Sequence, residues 1–373
     1  MQFTIARSEF LKTLQRVVNV IPTKTTNEIL YSVLLIAEEN RLKIISTDLD
    51  IAQISWSIAK TESEGAIAIQ GKLLLDILRE MPEIELQFTV DTNLRVTIKT
   101  DSGEYKLSGQ PRSEFPSIPI VESDQSISLP NAQFKHMIEK TIFACSTENM
   151  RSALGGVLCQ IFENEFRMVA TDGHRLVRII NKKFSSPDFS KQFNVPTKAL
   201  NFVARNLPEE GEHKVFLSDD YILFDLPNTK IYSRLIKQPF PDYDRVIPDF
   251  YEKEIIVNRE QLIHSVKRVS LFSNPLTSQI YIKVHPDHLN IYARDIDFGG
   301  EANENIPCKF SFEPLLIAYN GNYLLDILRH IDTEEVLIKI EDSDGPGLFF
   351  PREQNENEDL LMLLMPVRLS EAD

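Results

Sequence analysis

The chain lacks most of what would make its function obvious. Among 373 residues no apolar run approaches the roughly 18 a membrane span needs. The first ten residues, MQFTIARSEF, hold an acid and no apolar core, so they do not read as a signal peptide. Cysteine is scarce. Cys145, Cys159 and Cys308 are isolated and make no CxxC or zinc spacing, which points to reduced, buried thiols and a cytoplasmic protein. There is no GxxxxGK[ST] loop for ATP, no GxSxG elbow for a serine nucleophile, no zinc finger and no aromatic RNA-binding signature. Positive charge is also short: the formal net charge is −15, which argues against nucleic-acid binding by bulk charge.

What the chain does have is repetition. VATDGHRL (169–176) has relatives in ISTDLDIA (45–52) and YARDIDFG (292–299). Their aspartates, Asp48, Asp172 and Asp295, lie 124 and 123 residues apart. GKLLLDILREMP at 71, TKALNFVARNLP at 197 and GNYLLDILRHID at 321 keep nearly the same step. So do FPSIP at 115 and FPDYDRVIP at 240. A period this long is one small domain per unit and not a solenoid turn. The proline-marked polar breaks divide the chain into 1–122, 123–249 and 250–373.

Each unit reads as α+β, with two helices packed on antiparallel sheets. Phe10, Leu11, Leu14, Val17 and Val18 make one helical stripe; Leu74, Ile77, Leu78 and Met81 make another. The spacing predicts helices over 8–18, 72–81, 132–142, 197–207, 259–269 and 321–331. Between them run alternating strands, such as Ile54, Trp56 and Ile58 set against Gln53, Ser55 and Ser57. The charged and polar stretch FPREQNENEDL (350–360) points to a mobile loop.

Charge is not evenly spread. The six helices carry 12 Lys and Arg against 6 Asp and Glu, so they net +6 while the rest nets −21. A solvated helix face is the ordinary source of such charge. The alternative is one basic surface shared by equivalent helices, which would meet phosphates and not bases.

TDGHR itself has the residue types of an acid–base site. Its two internal counterparts, TDLD and RDID, keep only the aspartate, which suggests that Asp172 shapes a turn. The pairs Asp48/Asp50 and Asp295/Asp297, and His285 with His288, are weak metal candidates; no metal or cofactor is expected. A metal-assisted hydrolase or nuclease built on these Asp and His groups, and a three-module adaptor that never encircles DNA, are the alternatives carried forward.

In ATDGHRL (170–176), PFPDYDRVIP (239–248), YLLDIL (323–328) and MPVRL (365–369), the chain resembles the bacterial replicative sliding clamps, the beta subunits of DNA polymerase III. The resemblance spans essentially the whole chain. It implies the DNA clamp fold, three tandem domains per chain and a head-to-tail homodimeric ring, with helices lining a hole that double-stranded DNA threads. It implies a non-enzymatic processivity factor. Its partners would be the DNA polymerase III alpha subunit, a clamp loader, and other polymerases, mismatch-repair proteins and ligase bound through short peptides.

The matching partner-pocket positions are Leu154, Thr171, Gly173, His174, Arg175, Leu176, Pro241, Arg245, Val246, Asn320, Tyr323, Met365, Pro366, Val367, Arg368 and Leu369. DNA contacts would fall to Lys12, Lys24, Lys72, Arg151, Lys198 and Arg205; Glu148 departs from the family by being acidic. The ring joint would set Leu271 and Phe272 of one chain against Tyr105 and Leu107 of the other. After the Arg-Leu at which the family usually stops, this chain continues with SEAD, expected to be a frayed tail.

Overall fold

In a computed structural model, residues 1–119, 121, 126–148, 152–186, 189–295 and 299–368 are described. Arg151, Asp297, Leu369 and the SEAD tail lie outside them. The helices are α1 (Arg7–Val18), α2 (Gly71–Glu80), α3 (Asn131–Thr141), α4 (Thr197–Asn206), α5 (Arg259–Ser270) and α6 (Gly321–Arg329). Each lies within two residues of the span its apolar spacing predicts. The apolar stripes face inward: Phe10, Leu14 and Val17 of α1 and Leu74 and Leu78 of α2 are fully buried.

The chain forms two compact units, residues 1–135 with 198–235, and residues 136–197 with 236–373. In the first, one five-stranded sheet runs Lys60–Ser63, Gln2–Ala6, Glu85–Val90, Arg95–Lys99, Glu104–Ser108. The other has eight strands. Its seam joins two repeats: Thr229–Arg234 pairs antiparallel with Ile51–Ile58. The core under α1 and α2 centres on Phe3, stacked on Phe88 at 4.7 Å, with Phe10 edge-on to both.

The alternating strand Ile51–Ile58 has the expected period and the opposite polarity. Gln53 and Ser55 are fully buried, and Ile58 is 84% exposed. The polar row shares a face with Ile44 and Ser46, and Ser46 Oγ donates to the Val17 carbonyl of α1 at 2.5 Å. Ser55 Oγ meets Thr229 Oγ1 at 2.7 Å across the seam, so burial of that hydroxyl is compensated.

The second unit holds a twelve-stranded sheet. Its seam pairs Arg175–Asn181 with Glu358–Leu364, in register from Arg175 opposite Leu364 to Asn181 opposite Glu358. The stretch 350–360 is strand at both ends, with a turn over 352–357 where its composition predicted a loop. Gly347–Pro351 and Glu358–Leu364 pair, and Gln354 closes the turn by accepting from Leu360 N at 2.7 Å and donating to its carbonyl at 3.2 Å. Residues 352–356 are exposed, as the charge predicted, and Gln354 ties the turn to the returning strand.

Helices α2 and α6 begin on glycine because the chain passes too close for a side chain. A Cβ on Gly71 would sit 2.4 Å from Ile21 Cδ1, and one on Gly321 would sit 2.5 Å from Ser270 Oγ.

Candidate functional site

The TDGHR stretch is a tight turn between the strands Glu165–Thr171 and Arg175–Asn181. Asp172 Oδ1 accepts from His174 N at 2.9 Å and Arg175 N at 3.0 Å. Thr171 Oγ1 donates to the Arg175 carbonyl at 2.6 Å and accepts from Gly173 N at 3.0 Å. Gly173 takes φ +90°, a left-handed value that glycine adopts without steric cost. The first repeat builds the same turn. Asp48 Oδ1 accepts from Asp50 N and Ile51 N, and Thr47 Oγ1 bonds the Ile51 carbonyl and Leu49 N.

Arg175 is the best-anchored side chain of the site. Nε donates to Asp172 Oδ2 at 3.1 Å, one terminal nitrogen to Asp326 Oδ2 at 2.7 Å, and the other to the Phe143 carbonyl at 2.7 Å. Its guanidinium lies 4.6 Å from the Tyr323 ring centre and 5.3 Å from that of Phe143. With 8% of its surface exposed, it holds the wall in place and offers little to a ligand. His174 is exposed and stacks on Tyr323 at 5.8 Å. Burial, with the Asp172 carboxylate nearby, raises the Tyr323 phenol above its ordinary range, so it stays a neutral aromatic surface at pH 7.

Of the remaining pocket positions, Asn320 and Met365 are tied to this pair by backbone hydrogen bonds. Asn320 caps α6 by accepting from Asn322 N and Tyr323 N, and donates to the Thr277 carbonyl at 3.0 Å. Met365 N donates to the His174 carbonyl, and Val367 N to the Ala318 carbonyl, which ties 365–367 along the site. Leu176 is buried with Leu158, Leu361, Leu363 and Tyr243. Tyr243 opens the short helix Tyr243–Val246 and donates to Gln160 Oε1 at 2.7 Å. That places Pro241, Arg245 and Val246 at the exposed rim, with Arg245 Nε 2.6 Å from Asp242.

Exposed Val246 and Met365 supply apolar surface, Pro366 and Val367 are half-buried, and Arg368 is exposed. Leu154 is half-buried, its carbonyl bonded to Ser146 N. Thr171, Arg175 and Leu176 are thus floor and frame. Gly173, His174 and Met365 are exposed around half-buried Tyr323, and Val246 is exposed on its own short helix. Beside them lies a cavity of about 410 Å³ lined by Phe143, Glu148, Asp172, His174, Arg175 and Tyr323 among others. Phe143 and Asp326 escaped the sequence reading. Asp326 lies inside the quoted YLLDIL and could have been suspected from its charge in an apolar run; Phe143 gave no signal.

Among the described residues, the titratable groups of the sequence's acid–base and metal candidates are engaged elsewhere or held neutral. Burial pushes the Cys145 thiol up to about 11. Asp48, one of the metal candidates, bonds Lys198 through Oδ2 while Oδ1 is spent on the turn. His285 and His288 stack at 4.5 Å, and His288 Nδ1 meets Asp287 at 2.7 Å.

Of the basic residues, Lys12, Lys24, Lys72 and Arg205 are exposed, while Lys198 is half-exposed and paired with Asp48. Glu148 is exposed. Tyr105, 40% exposed, and Leu107, packed on the core, lie on Glu104–Ser108, the end strand of the five-stranded sheet. Leu271 (81% exposed) and Phe272 (42%) follow α5 directly. Nearby, Gly300–Lys309 pairs on one side with His288–Asp295. On its other side only Cys308 and Lys309 are paired, so residues 300–307 form an open edge among the described residues.

Three family models match the chain: the DNA polymerase III beta subunit N-terminal domain over residues 1–119, the central domain over 128–242 and the C-terminal domain over 244–368. A beta sliding clamp of Chlamydia pneumoniae is 30% identical over 369 residues, 99% of each chain. One of Pseudomonas aeruginosa is 30% identical over 99% of this chain and 100% of its own. Among solved structures, the sliding clamp of Bartonella birtlesii bound to griselimycin superposes with a TM-score of 0.94 at 31% identity. That of P. aeruginosa bound to griselimycin superposes at 0.93 and 28%. Both cover 99% of this chain and 100% of theirs.

Proposed function

The chain belongs to the DNA polymerase III beta subunit family, the sliding clamps that act as processivity factors of that polymerase, and we propose that it does so as a ring of two copies. In this reading each chain contributes three domains, 1–122, 123–249 and 250–373. The edge strand Glu104–Ser108 of one copy adds to the open edge at 300–307 of the other, with Leu271 and Phe272 covering Tyr105 and Leu107. Double-stranded DNA passes through the hole. Lys12, Lys24, Lys72, Arg151, Lys198 and Arg205 meet its phosphates without reading sequence. Pairing of Lys198 with Asp48 weakens that cation's grip, which suits a ring that slides. The protein performs no catalysis of its own and works in the cytoplasm; among the described residues no helix is long and apolar enough to cross a membrane.

Partners dock by short peptides in the groove around His174 and Tyr323. They include the polymerase alpha subunit, the clamp loader, other polymerases, and mismatch-repair and ligase proteins. The observation that carries this is the stack of exposed His174 on half-buried Tyr323, on a framework fixed by Arg175, Asp172 and Asp326, with apolar Met365 tied beside it through the His174 carbonyl. Such a site has the apolar walls and few orienting groups that peptide recognition requires. Tethering then raises the polymerase's local concentration at the primer end. The hydrolase alternative has no support, because the Asp48 and Asp172 carboxylates are occupied in their turns.

Fluorescence anisotropy with a labelled apolar pentapeptide tests the groove. His174→Ala should weaken binding roughly tenfold, and Arg175→Ala at least as much by collapsing the frame. Unchanged affinity in both would place the docking site elsewhere.

A further inference from the structure

A second cleft, of about 560 Å³, lies wholly within the first compact unit and shares no lining residue with the groove. Lys12 and Arg16 line it from α1, Arg41 from the start of Arg41–Thr47, and Trp56 and Ile58 from the end of Ile51–Ile58. Among the described residues the three cations have no ion-pair partner, and Glu9 is the one acid in the lining. Unpaired cations converging on one cleft are notable in a chain of net charge −15.

The backbone there is open as well. Trp56 N donates to the Asn228 carbonyl at 3.2 Å, after which Asn228, at φ +57°, turns its chain away. Ala59 N bonds the Asn40 carbonyl, so the alternation of the antiparallel ladder points the N–H and C=O of Ile58 away from its neighbour Arg41. That edge continues the pairing begun by Trp56 and Asn228, and the Ile58 side chain beside it is 84% exposed.

We propose that this cleft is a docking site for an extended acidic peptide of a partner protein, laid along the open edge at Ile58. The peptide's backbone supplies both a donor and an acceptor to Ile58, its apolar residues cover Ile58 and Trp56, and its carboxylates meet Arg41 and Arg16, leaving Lys12 to the duplex. A nucleic-acid strand fits less well. Its phosphates only accept hydrogen bonds, so the backbone that would pair with the cations cannot also match the Ile58 carbonyl, as a peptide backbone does.

Trp56 is the sole tryptophan of the chain, so its emission reports directly on the cleft. The full-length protein is titrated with an eight-residue peptide alternating glutamate and valine, and separately with an eight-nucleotide oligothymidylate. The peptide should shift Trp56 emission saturably, with affinity falling as salt rises. Arg41→Gln and Ile58→Ser, both surface changes checked for folding by circular dichroism, should each weaken it roughly fivefold. An unshifted emission, or affinity untouched by both variants, overturns the proposal. Tighter binding of oligothymidylate than of peptide also overturns it and makes the cleft a nucleic-acid site. Anisotropy at the His174 groove is read in the same samples, so failure of one site is told apart from failure of the other.

Discussion

Asp48 and Asp172, 124 residues apart, hold the same turn by the same two bonds, each accepting from the N–H groups two and three residues ahead. The twins differ at the next position. Gly173 takes φ +90° and Leu49 takes φ +82°. A left-handed leucine costs about 1–2 kcal/mol that glycine does not, and Leu49 recovers little by packing, being 53% exposed.

Leu49→Gly should therefore stabilise the protein, by about 0.5–1 kcal/mol after the larger entropy glycine loses on folding. Gly173→Ala should destabilise by about 1 kcal/mol. Urea denaturation with both variants checks the pair. A loss of stability in Leu49→Gly would mean that the side chain makes contacts that outweigh the strain.

Histidine supplies the pH dependence. Burial pulls His213 down to about 4, against an ordinary value near 6.5, and its Nδ1 lies 2.9 Å from Asn131 Oδ1. A folded-state value below the unfolded one means that the unfolded chain binds the proton first. Stability from this group is whole above pH 6.5 and is lost as pH falls towards 4, on the order of 3 kcal/mol. His330, also lowered by burial, adds loss of the same sign. Thermal melts between pH 7.5 and 4.5 should show this fall, and His213→Phe should flatten it. An unaltered slope in that variant would assign the effect to other groups.

In the proposed ring the joint would rest on apolar surface that a monomer would keep wet. Leu271→Ala with Phe272→Ala should turn the proposed dimer into monomers, read as mass by light scattering, while leaving the melting profile of the chain largely in place. A persistent dimer would locate the interface away from α5.

Helices and repeats were legible because both leave periodic marks. Leu74, Ile77, Leu78 and Met81 can share a face only in a helix, and one landmark recurring near 124 residues is hard to produce otherwise. The turn role of Asp172 was legible for the same reason, since its relatives could be compared. Burial of polar groups was not. Gln53 and Ser55 face inward because a seam strand from another repeat and α1 cover them, which no local pattern reveals. Arg175, one of the matching pocket positions, is a buried frame, because two of its partners, Asp326 and Phe143, come from distant parts of the chain that no local pattern joins to it. The strand ends within 350–360 were hidden by the charged turn between them.

Retention on DNA tests the central claim most directly. Protein loaded onto nicked circular DNA by a clamp loader should stay bound through gel filtration in moderate salt, then run off once a restriction enzyme linearises the circle. A ring held by topology predicts that difference, since its phosphate contacts are weak and salt-sensitive. Equal retention on circular and linear DNA, or release from both, would contradict it.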